Sequence, residues 1–434
     1  MSAHTLDRLL AGTFPDPDGG APLRVDTKSV VIERSLLGHE GDVVRSLGLG
    51  PRLAIVSDAT THAILGDRVE RALTGTTDFT SIVLPARPHA DYATVERLRS
   101  ATERADALIA VGSGTINDLC KYASALDKKP YAVFGTAPSM NGYVSLNAAI
   151  TVGGLKKSLT AHAPIGVFLD IAVLAAAPAR MIRSGLGDSL CRPTAQADWL
   201  LSHLLFDLPY REMPFVLLEE DEGELFESAE ALMAGDHAAM EVLVRILLLS
   251  GFGTAICGSS QPASQAEHLV SHFADMMGPK DLPFSFHGEQ IGVTTLTAAR
   301  LQEAMLSGGA PVLSEDADDE EDVIRTFGTG LGPSCWKEFA QKRLTGARLD
   351  AANDRIARRW PQLVELISKV VIPSARLDAV LAKAGAPRRA NELSWSRGFY
   401  EAAIRGARLI RNRYTFLDLA ANAGRLECLL PDIT

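Results

Sequence analysis

The segment Leu108-Ile-Ala-Val-Gly-Ser-Gly-Thr-Ile-Asn-Asp118 decides the reading of the first third of the chain. Four apolar residues, Leu108–Val111, have the length and composition of a buried strand. They run straight into Gly112-Ser113-Gly114-Thr115, after which helical spacing continues through Tyr122. Gly112 and Gly114 lack Cβ atoms, so backbone N–H groups there can approach a phosphate closely. The following helix offers unpaired N–H groups and a positive dipole end to the same phosphate. This is not the full GxGxxG fingerprint, and a tight strand-to-helix turn would use the same glycines. The strand before and the helix after favour a nucleotide pyrophosphate.

The flanking sequence repeats this alternation. Lys28–Ile32, Leu53–Val56, Phe79–Leu84 and Tyr131–Phe134 are strand-like, while Leu36–Leu47, Thr60–Leu73 and Tyr92–Ala105 have helical period. Strands alternating with helices need crossovers and hence a mainly parallel sheet. Asp58 directly follows the second strand, where it suits an N-cap for the Thr60 segment and also the hydroxyls of a ribose. From about Pro178 the texture changes to long Ala-, Leu-, Glu- and Arg-rich segments. Helices are expected near Arg180–Leu205, Leu225–Leu249, Gln265–Asp275, Glu289–Met305, Asp350–Val370 and Ser396–Asn412. The expected architecture is an α/β nucleotide-binding domain over 1–178 and an all-helical domain over 179–434. The acidic clusters Glu219–Glu224 and Glu315–Asp322 read as solvated loops or helix starts.

Composition narrows the function classes. The chain has 434 residues, 47% hydrophobic and 22% charged, with a formal charge of −10. That is an ordinary globular composition, and its sign argues against a nucleic-acid partner. Cys120, Cys191, Cys257, Cys335 and Cys428 lie far apart with no CxxC spacing. They read as reduced thiols rather than a disulfide framework or zinc knuckle. Met1–Leu10 lacks a secretory pattern. The most apolar run, Val242–Cys257, contains Arg245 and is too short to span a bilayer. A cytoplasmic protein without membrane insertion is expected.

His268 and His272 stand at i, i+4, so a helix would present both imidazoles on one side. His287-Gly288 begins another helical run, and Gly187-Asp188 lies at a helix beginning upstream. An Asp/His/His set suits a first-row divalent ion with an open position for water or substrate. Unaided, the histidine pair reads as readily as surface or cap residues.

Together the segments resemble a known family. Gly112-Ser-Gly-Thr-Ile-Asn-Asp118, Thr136-Ala-Pro-Ser-Met-Asn-Gly142, Gly187-Asp188, Glu267-His268, His272, His287-Gly-Glu289 and Arg411-Asn-Arg-Tyr-Thr-Phe-Leu-Asp418 occur in the order found in the sn-glycerol-1-phosphate dehydrogenases. These belong with the iron-containing alcohol dehydrogenases, glycerol dehydrogenases and dehydroquinate synthases. The resemblance runs from about residue 28 to 427. It implies NAD or NADP as cofactor and one divalent metal ion, zinc foremost, with nickel or iron in some members. It implies Asp188, His268 and His287 as metal ligands, with the active site in an interdomain cleft. His272, Asn141 and Asp188 would be the catalytic set, His272 touching substrate. Gly112, Ser113, Gly114, Thr115 and Ile116 would wrap the dinucleotide phosphates. Thr136, Ala137, Pro138, Ser139 and Ser145 would contact the cofactor, and Asp58 the adenosine ribose. The substrate would be a small phosphorylated ketone or polyol, dihydroxyacetone phosphate giving sn-glycerol 1-phosphate. Lys156, Lys157, Ser158, His162 and Arg192 are candidate donors to its phosphate. Relatives often pair as homodimers.

The match departs on the presumed substrate side. Most members carry Asp where Asn141 stands, so hydrogen bonding is kept while the charge and any base function are lost. Cys191-Arg-Pro-Thr-Ala195 replaces a Gly-Lys-Tyr-Thr-Ala run, and Pro193 removes a backbone donor. A glycerol dehydrogenase-like enzyme on another polyol or phospho-ketone is therefore an alternative. A catalytically weakened homologue that keeps its cofactor is another. Dehydroquinate synthase is disfavoured by the Ala-Pro-Ser-Met and Arg-Asn-Arg-Tyr-Thr motifs.

Overall fold

Leu53–Val56, Leu108–Val111, Ala132–Phe134 and Val167–Leu169 are apolar at every position, so their strands must be covered on both faces. The computed structural model describes residues 4–153 and 155–434. In it these runs are buried throughout. They are the middle strands of a six-stranded parallel sheet. In chain order the strands are β1 (Ser29–Glu33), β2 (Arg52–Asp58), β3 (Asp78–Leu84), β4 (Ala107–Gly112) and β5 (Tyr131–Gly135). Two further strands, β6 (Asn147–Val152) and β7 (Leu155–Thr160), form a separate antiparallel hairpin, and β8 (Gly166–Asp170) returns to the sheet. The sheet order is β1-β8-β5-β4-β2-β3. After Asp170 every regular element among the described residues is helical. The expected class, a parallel α/β part followed by an all-helical part, is the one adopted. The hairpin was not anticipated, because its strands carry little of the unbroken apolar signal of the sheet.

This strand order positions a ligand site. The chain leaves β2 outward to β3, but leaves β4 in the opposite direction, to β5. β4 therefore stands at a topological switch point, where the carboxyl ends of parallel strands leave a crevice. Gly112, the last residue of β4, pairs with Gly135 of β5.

Seven helices carry the rest of the argument: α1 (Gly114–Leu126), α2 (Ala179–Ser189), α3 (Arg192–Phe206), α4 (His237–Cys257), α5 (Ala266–Met277), α6 (His287–Ser307) and α7 (Phe416–Asn422). The helix expected over Arg180–Leu205 is broken between α2 and α3. Pro193 lies in the first turn of α3, where its missing N–H is no loss. The helix expected over Leu225–Leu249 is three helices, Glu219–Glu227, Ala229–Met233 and α4. Gly235 takes a positive φ before α4, and the Asp236 carboxylate accepts the Ala239 N–H at 2.9 Å to cap it. α4 is long and apolar enough to cross a membrane by length and composition, but most of its apolar window is buried in the protein. Its one strong cation, Arg245, is bonded to buried Asp221, with the closest contact at 2.6 Å.

Compactness divides the chain differently from texture. One unit comprises Met1–Ser189 with Glu212–Ser259, and the other Leu190–Arg211 with Ser260–Thr434. The first gathers α2 and α4 onto the sheet part, and the second holds α3, α5, α6 and α7.

In the first unit α2 packs directly on backbone. A Cβ added at Gly185 would lie 1.7 Å from the Pro138 carbonyl oxygen. Gly185→Ala should therefore cost about 1–3 kcal/mol, the usual range for overpacking. Thermal or denaturant unfolding measures this. A change inside about 0.5 kcal/mol, as at an unconstrained surface position, would contradict the packing described.

Candidate functional site

The glycine turn is built by close packing. A Cβ on Gly112 would come within 2.6 Å of the Ile116 Cβ, so the helix can sit this close to β4 only without one. Ser113 is the N-cap residue of α1, and Gly114, Thr115 and Ile116 form its first turn. The N–H groups of such a turn lack intrahelical partners. The chain after β5 lies alongside: the Thr136 N–H donates to the Gly112 carbonyl at 3.2 Å. Thr136, Ala137, Pro138 and Ser139 are buried. Two bonds fix this stretch, Tyr143 Oη donating to the Ala137 carbonyl at 2.8 Å and Ser184 Oγ to that of Ser139 at 2.9 Å.

A fully buried cation holds the next stretch. Lys121, on α1, donates from Nζ to the Gly142 carbonyl at 2.5 Å, to Ser145 Oγ at 3.2 Å and to the Asn147 carbonyl at 3.2 Å. One turn earlier, Asn117 Nδ2 donates to the same Gly142 carbonyl at 3.2 Å. Burial lowers the Lys121 pKa to about 8, with Asp118 opposing. Residues 142–147, Ser145 among them, are thus fastened to the helix that starts at the glycine turn. Lys121 was missed in the sequence, although its i, i+4 spacing from Asn117 was visible there.

Asp58 caps the helical segment starting at Ala59. Its Oδ1 accepts the Thr60 and Thr61 N–H groups at 2.8 and 3.1 Å. Asn141 bridges two elements of the first unit. Its backbone N–H donates to Asp188 Oδ2 on α2 at 3.0 Å, and its Nδ2 donates to Ser250 Oγ on α4 at 3.1 Å. Asp188 is buried, and the chain enters the second unit two residues later, at Leu190.

In the second unit the structure brings together all three histidines of the candidate set. The ring centroids are 5.1 Å apart for His268–His287, 6.1 Å for His268–His272 and 6.2 Å for His272–His287. His268 and His272 lie one turn apart on α5, and His287 opens α6. Gln290 locks the two helices together: it accepts from Ser271 Oγ at 2.6 Å and donates to Asp275 and Ser285 at 3.2 and 3.1 Å. Fully buried Glu267 sits 2.9 Å from His268 Nδ1 and also accepts the Gln265 N–H at 2.8 Å. Burial opposes its ionisation, but the hydrogen bond and charge of His268, with help from the Gln265 amide, outweigh it and hold Glu267 below the usual carboxylate range. A carboxylate on the far nitrogen of an imidazole is the outer-shell arrangement of metal-binding histidines.

Of the residues weighed for a substrate phosphate, Lys157 and Ser158 are exposed on β7. His162 Nε2 is 2.8 Å from Ser124 Oγ, and Arg192 donates to Gln196 at 2.7 Å. The Lys156 side chain lies outside the described residues.

The chain is similar to known proteins. Residues 31–178 match the family model for iron-containing alcohol dehydrogenase. The chain is 32% identical over 310 residues to glycerol-1-phosphate dehydrogenase [NAD(P)+] of Methanosarcina mazei, covering 68% of this chain and 85% of that protein. The chain belongs to the iron-containing alcohol dehydrogenase family. A glycerol-1-phosphate dehydrogenase of Geobacillus stearothermophilus is 29% identical over 379 residues, 84% of this chain and 85% of the relative. Among solved structures, glycerol dehydrogenase from Schizosaccharomyces pombe superposes with a TM-score of 0.62 at 15% identity, covering 97% and 93% of the two chains. That likeness concerns the fold. The chain is accordingly an oxidoreductase of this family.

The Arg-Asn-Arg-Tyr-Thr segment serves the histidine site from behind. Arg413 donates to the Ser264 carbonyl and, at 2.7 Å, to Ser260 Oγ, tying down the loop that leads into α5. Thr415 caps α7, whose Asp418 accepts the Thr415 N–H in return at 2.8 Å. Asp198, on α3, joins the two helix starts: it accepts the Ala266 N–H at 3.0 Å and the Phe416 N–H at 2.8 Å.

Burial and the neighbouring Glu267 carboxylate push Asp198 up to about 8, against the pull of those amides. Between the ordinary carboxylate pKa and that value the folded protein holds a proton that the unfolded chain has lost. This group's contribution to stability therefore falls as pH rises through the window. Asp198→Asn should flatten the decline of Tm between about pH 5 and pH 8 relative to the parent. An unchanged slope would contradict the assignment.

Proposed function

We propose that this chain is a metal-dependent, NAD(P)-linked dehydrogenase that interconverts dihydroxyacetone phosphate and sn-glycerol 1-phosphate. The observation that carries the reading is the gathering of three imidazoles with a buried carboxylate on the outer nitrogen of one of them. Such a donor set fits a borderline divalent ion, zinc before magnesium or calcium. His268 and His287 of the second unit would hold it, and the family resemblance implies Asp188 as its carboxylate ligand. The named relatives support the substrate, and the glycine turn at the switch point of the sheet supports the dinucleotide.

The roles follow from placement. The first turn of α1 would take the dinucleotide phosphates on its N–H groups. Asp58 would receive the adenosine ribose hydroxyls while keeping its cap. The stretch Thr136–Ser139 and Ser145, held by Tyr143, Ser184 and Lys121, would border the nicotinamide end. His268 and His287, with Asp188 as the resemblance implies, would hold a divalent ion, which when bound would supply Lewis-acid polarisation of a carbonyl. His272, one turn beyond His268 with its ring beside that of His287, would pass a proton to the substrate oxygen. Asn141 would orient Asp188 through its backbone N–H. An amide has no base function, and its side chain is already engaged with Ser250.

Purified protein with NADH or NADPH and dihydroxyacetone phosphate tests the reading. Nicotinamide absorbance should fall, chelation should stop the reaction, and added zinc should restore it. Glu267→Gln should weaken metal affinity by about 10–100-fold, the usual outer-shell effect, as read by competition with a chromogenic chelator. Turnover of a different ketone with none of dihydroxyacetone phosphate would move the substrate to another polyol pair. Turnover that ignores exhaustive chelation would overturn the metal reading.

A further inference from the structure

Lys342 is buried in the turn that follows the helix Glu320–Phe339. The turn is pinned by Asp316. Its N–H donates to the Leu344 carbonyl at 3.0 Å, and its Oδ2 accepts the Leu344 N–H at 2.7 Å. Arg408 in turn donates to Asp316 Oδ1 at 2.7 Å. From this fixed base Lys342 Nζ donates to the Arg413 carbonyl at 2.6 Å and lies 2.7 Å from Asp418 Oδ1. Both partners belong to the segment Arg411–Asp418, and all of these residues lie in the second unit.

Each contact leads to the start of α5. The backbone held at the Arg413 carbonyl carries the guanidinium that donates to Ser264 and Ser260, just ahead of α5. The carboxylate held at Asp418 closes the capping box of α7, whose Phe416 N–H shares Asp198 with the Ala266 N–H of α5. Burying an amine costs free energy unless its donors are used. Here they are used on the segment that ties down α5. We propose that Lys342 is a positioning residue for the histidine site: by fixing Arg413 and Asp418 it sets the rotation of α5 and so places His268 and His272 against His287. The inference rests on the metal reading above and names a residue that serves it from outside the ligand set.

Lys342→Met keeps most of the side chain's bulk and removes its donors. The full-length parent loaded with cobalt(II) should show visible d–d bands. In Lys342→Met those bands should shift, and zinc affinity should fall about tenfold, the small end of outer-shell effects, read by competition with a chromogenic chelator. Two further variants separate this from lost stability. Ile367→Ala, in the same hydrophobic core, should lower Tm and leave bands and affinity as in the parent. Lys342→Met combined with Asp418→Asn removes the carboxylate charge left without its amine. It should recover part of the lost Tm but not the cobalt bands, because the Arg413 carbonyl stays unheld. Should Lys342→Met not fold, the double variant carries the comparison. Parent-like bands and affinity in Lys342→Met would overturn the proposal and leave the metal site standing. So would full recovery of the bands in the double variant, or an equal shift in Ile367→Ala. Should the parent bind no cobalt, the metal reading fails, and the imidazole resonances of His268 and His272 in the metal-free protein decide the positioning role. Resonances displaced in Lys342→Met support it, and unmoved resonances overturn it.

Discussion

The carboxylate of Asp198 is the constraint on which the histidine site depends. Fully buried on α3, it accepts the N–H groups that open both α5 and α7. Those are orphan donors that must find a partner when a helix end is buried. Fixing the start of α5 fixes the rotation of the whole helix. His268 and His272 follow within its first two turns and share a face because they are four residues apart. Gln290 then sets α6 against α5, so that His287 meets them. Losing the Asp198 carboxylate would leave two buried amides unpaired, at about 1–3 kcal/mol each, and would free the helix that carries two of the three imidazoles.

The first unit uses a buried amine for the same purpose. Lys121 is as deeply buried as Asp198, and it too is met mainly by backbone groups, the carbonyls of Gly142 and Asn147. It ties the segment that would border the nicotinamide to the helix that would hold the phosphates. A buried polar group satisfied by backbone groups specifies a single chain path, because no other path offers it those partners. In each unit one such group stands behind residues that would touch ligand without touching it itself.

Much of this was readable from local pattern. Continuous apolar runs ending at Asp58 and Gly112 marked central parallel strands, and the glycines marked the turn. The i, i+4 pair His268 and His272 marked a shared helix face. All of these depend on residues close in the chain. What could not be read depends on distant partners. Asp198 sits in a helical run and signals nothing until residues 266 and 416 are placed beside it. Glu267 was visible as a neighbour of His268 but not as the partner of its Nδ1. Arg413 was quoted as part of a family motif, while its bonds to Ser260 and Ser264 come only from the fold. The break near Gly235 was hidden by good helix formers on either side, whereas Pro193 marked the one near Cys191. The hairpin over 147–160 lacks a buried face strong enough to announce itself.

On the proposed function, one cation would sit where α5 and α6 present His268 and His287. Anomalous diffraction recorded on both sides of the zinc edge, from crystals grown with zinc, tests it most directly. A single strong peak is expected within coordination distance of His268 and His287. A peak elsewhere, or both imidazoles well ordered around a site that stays empty in saturating zinc, would contradict it.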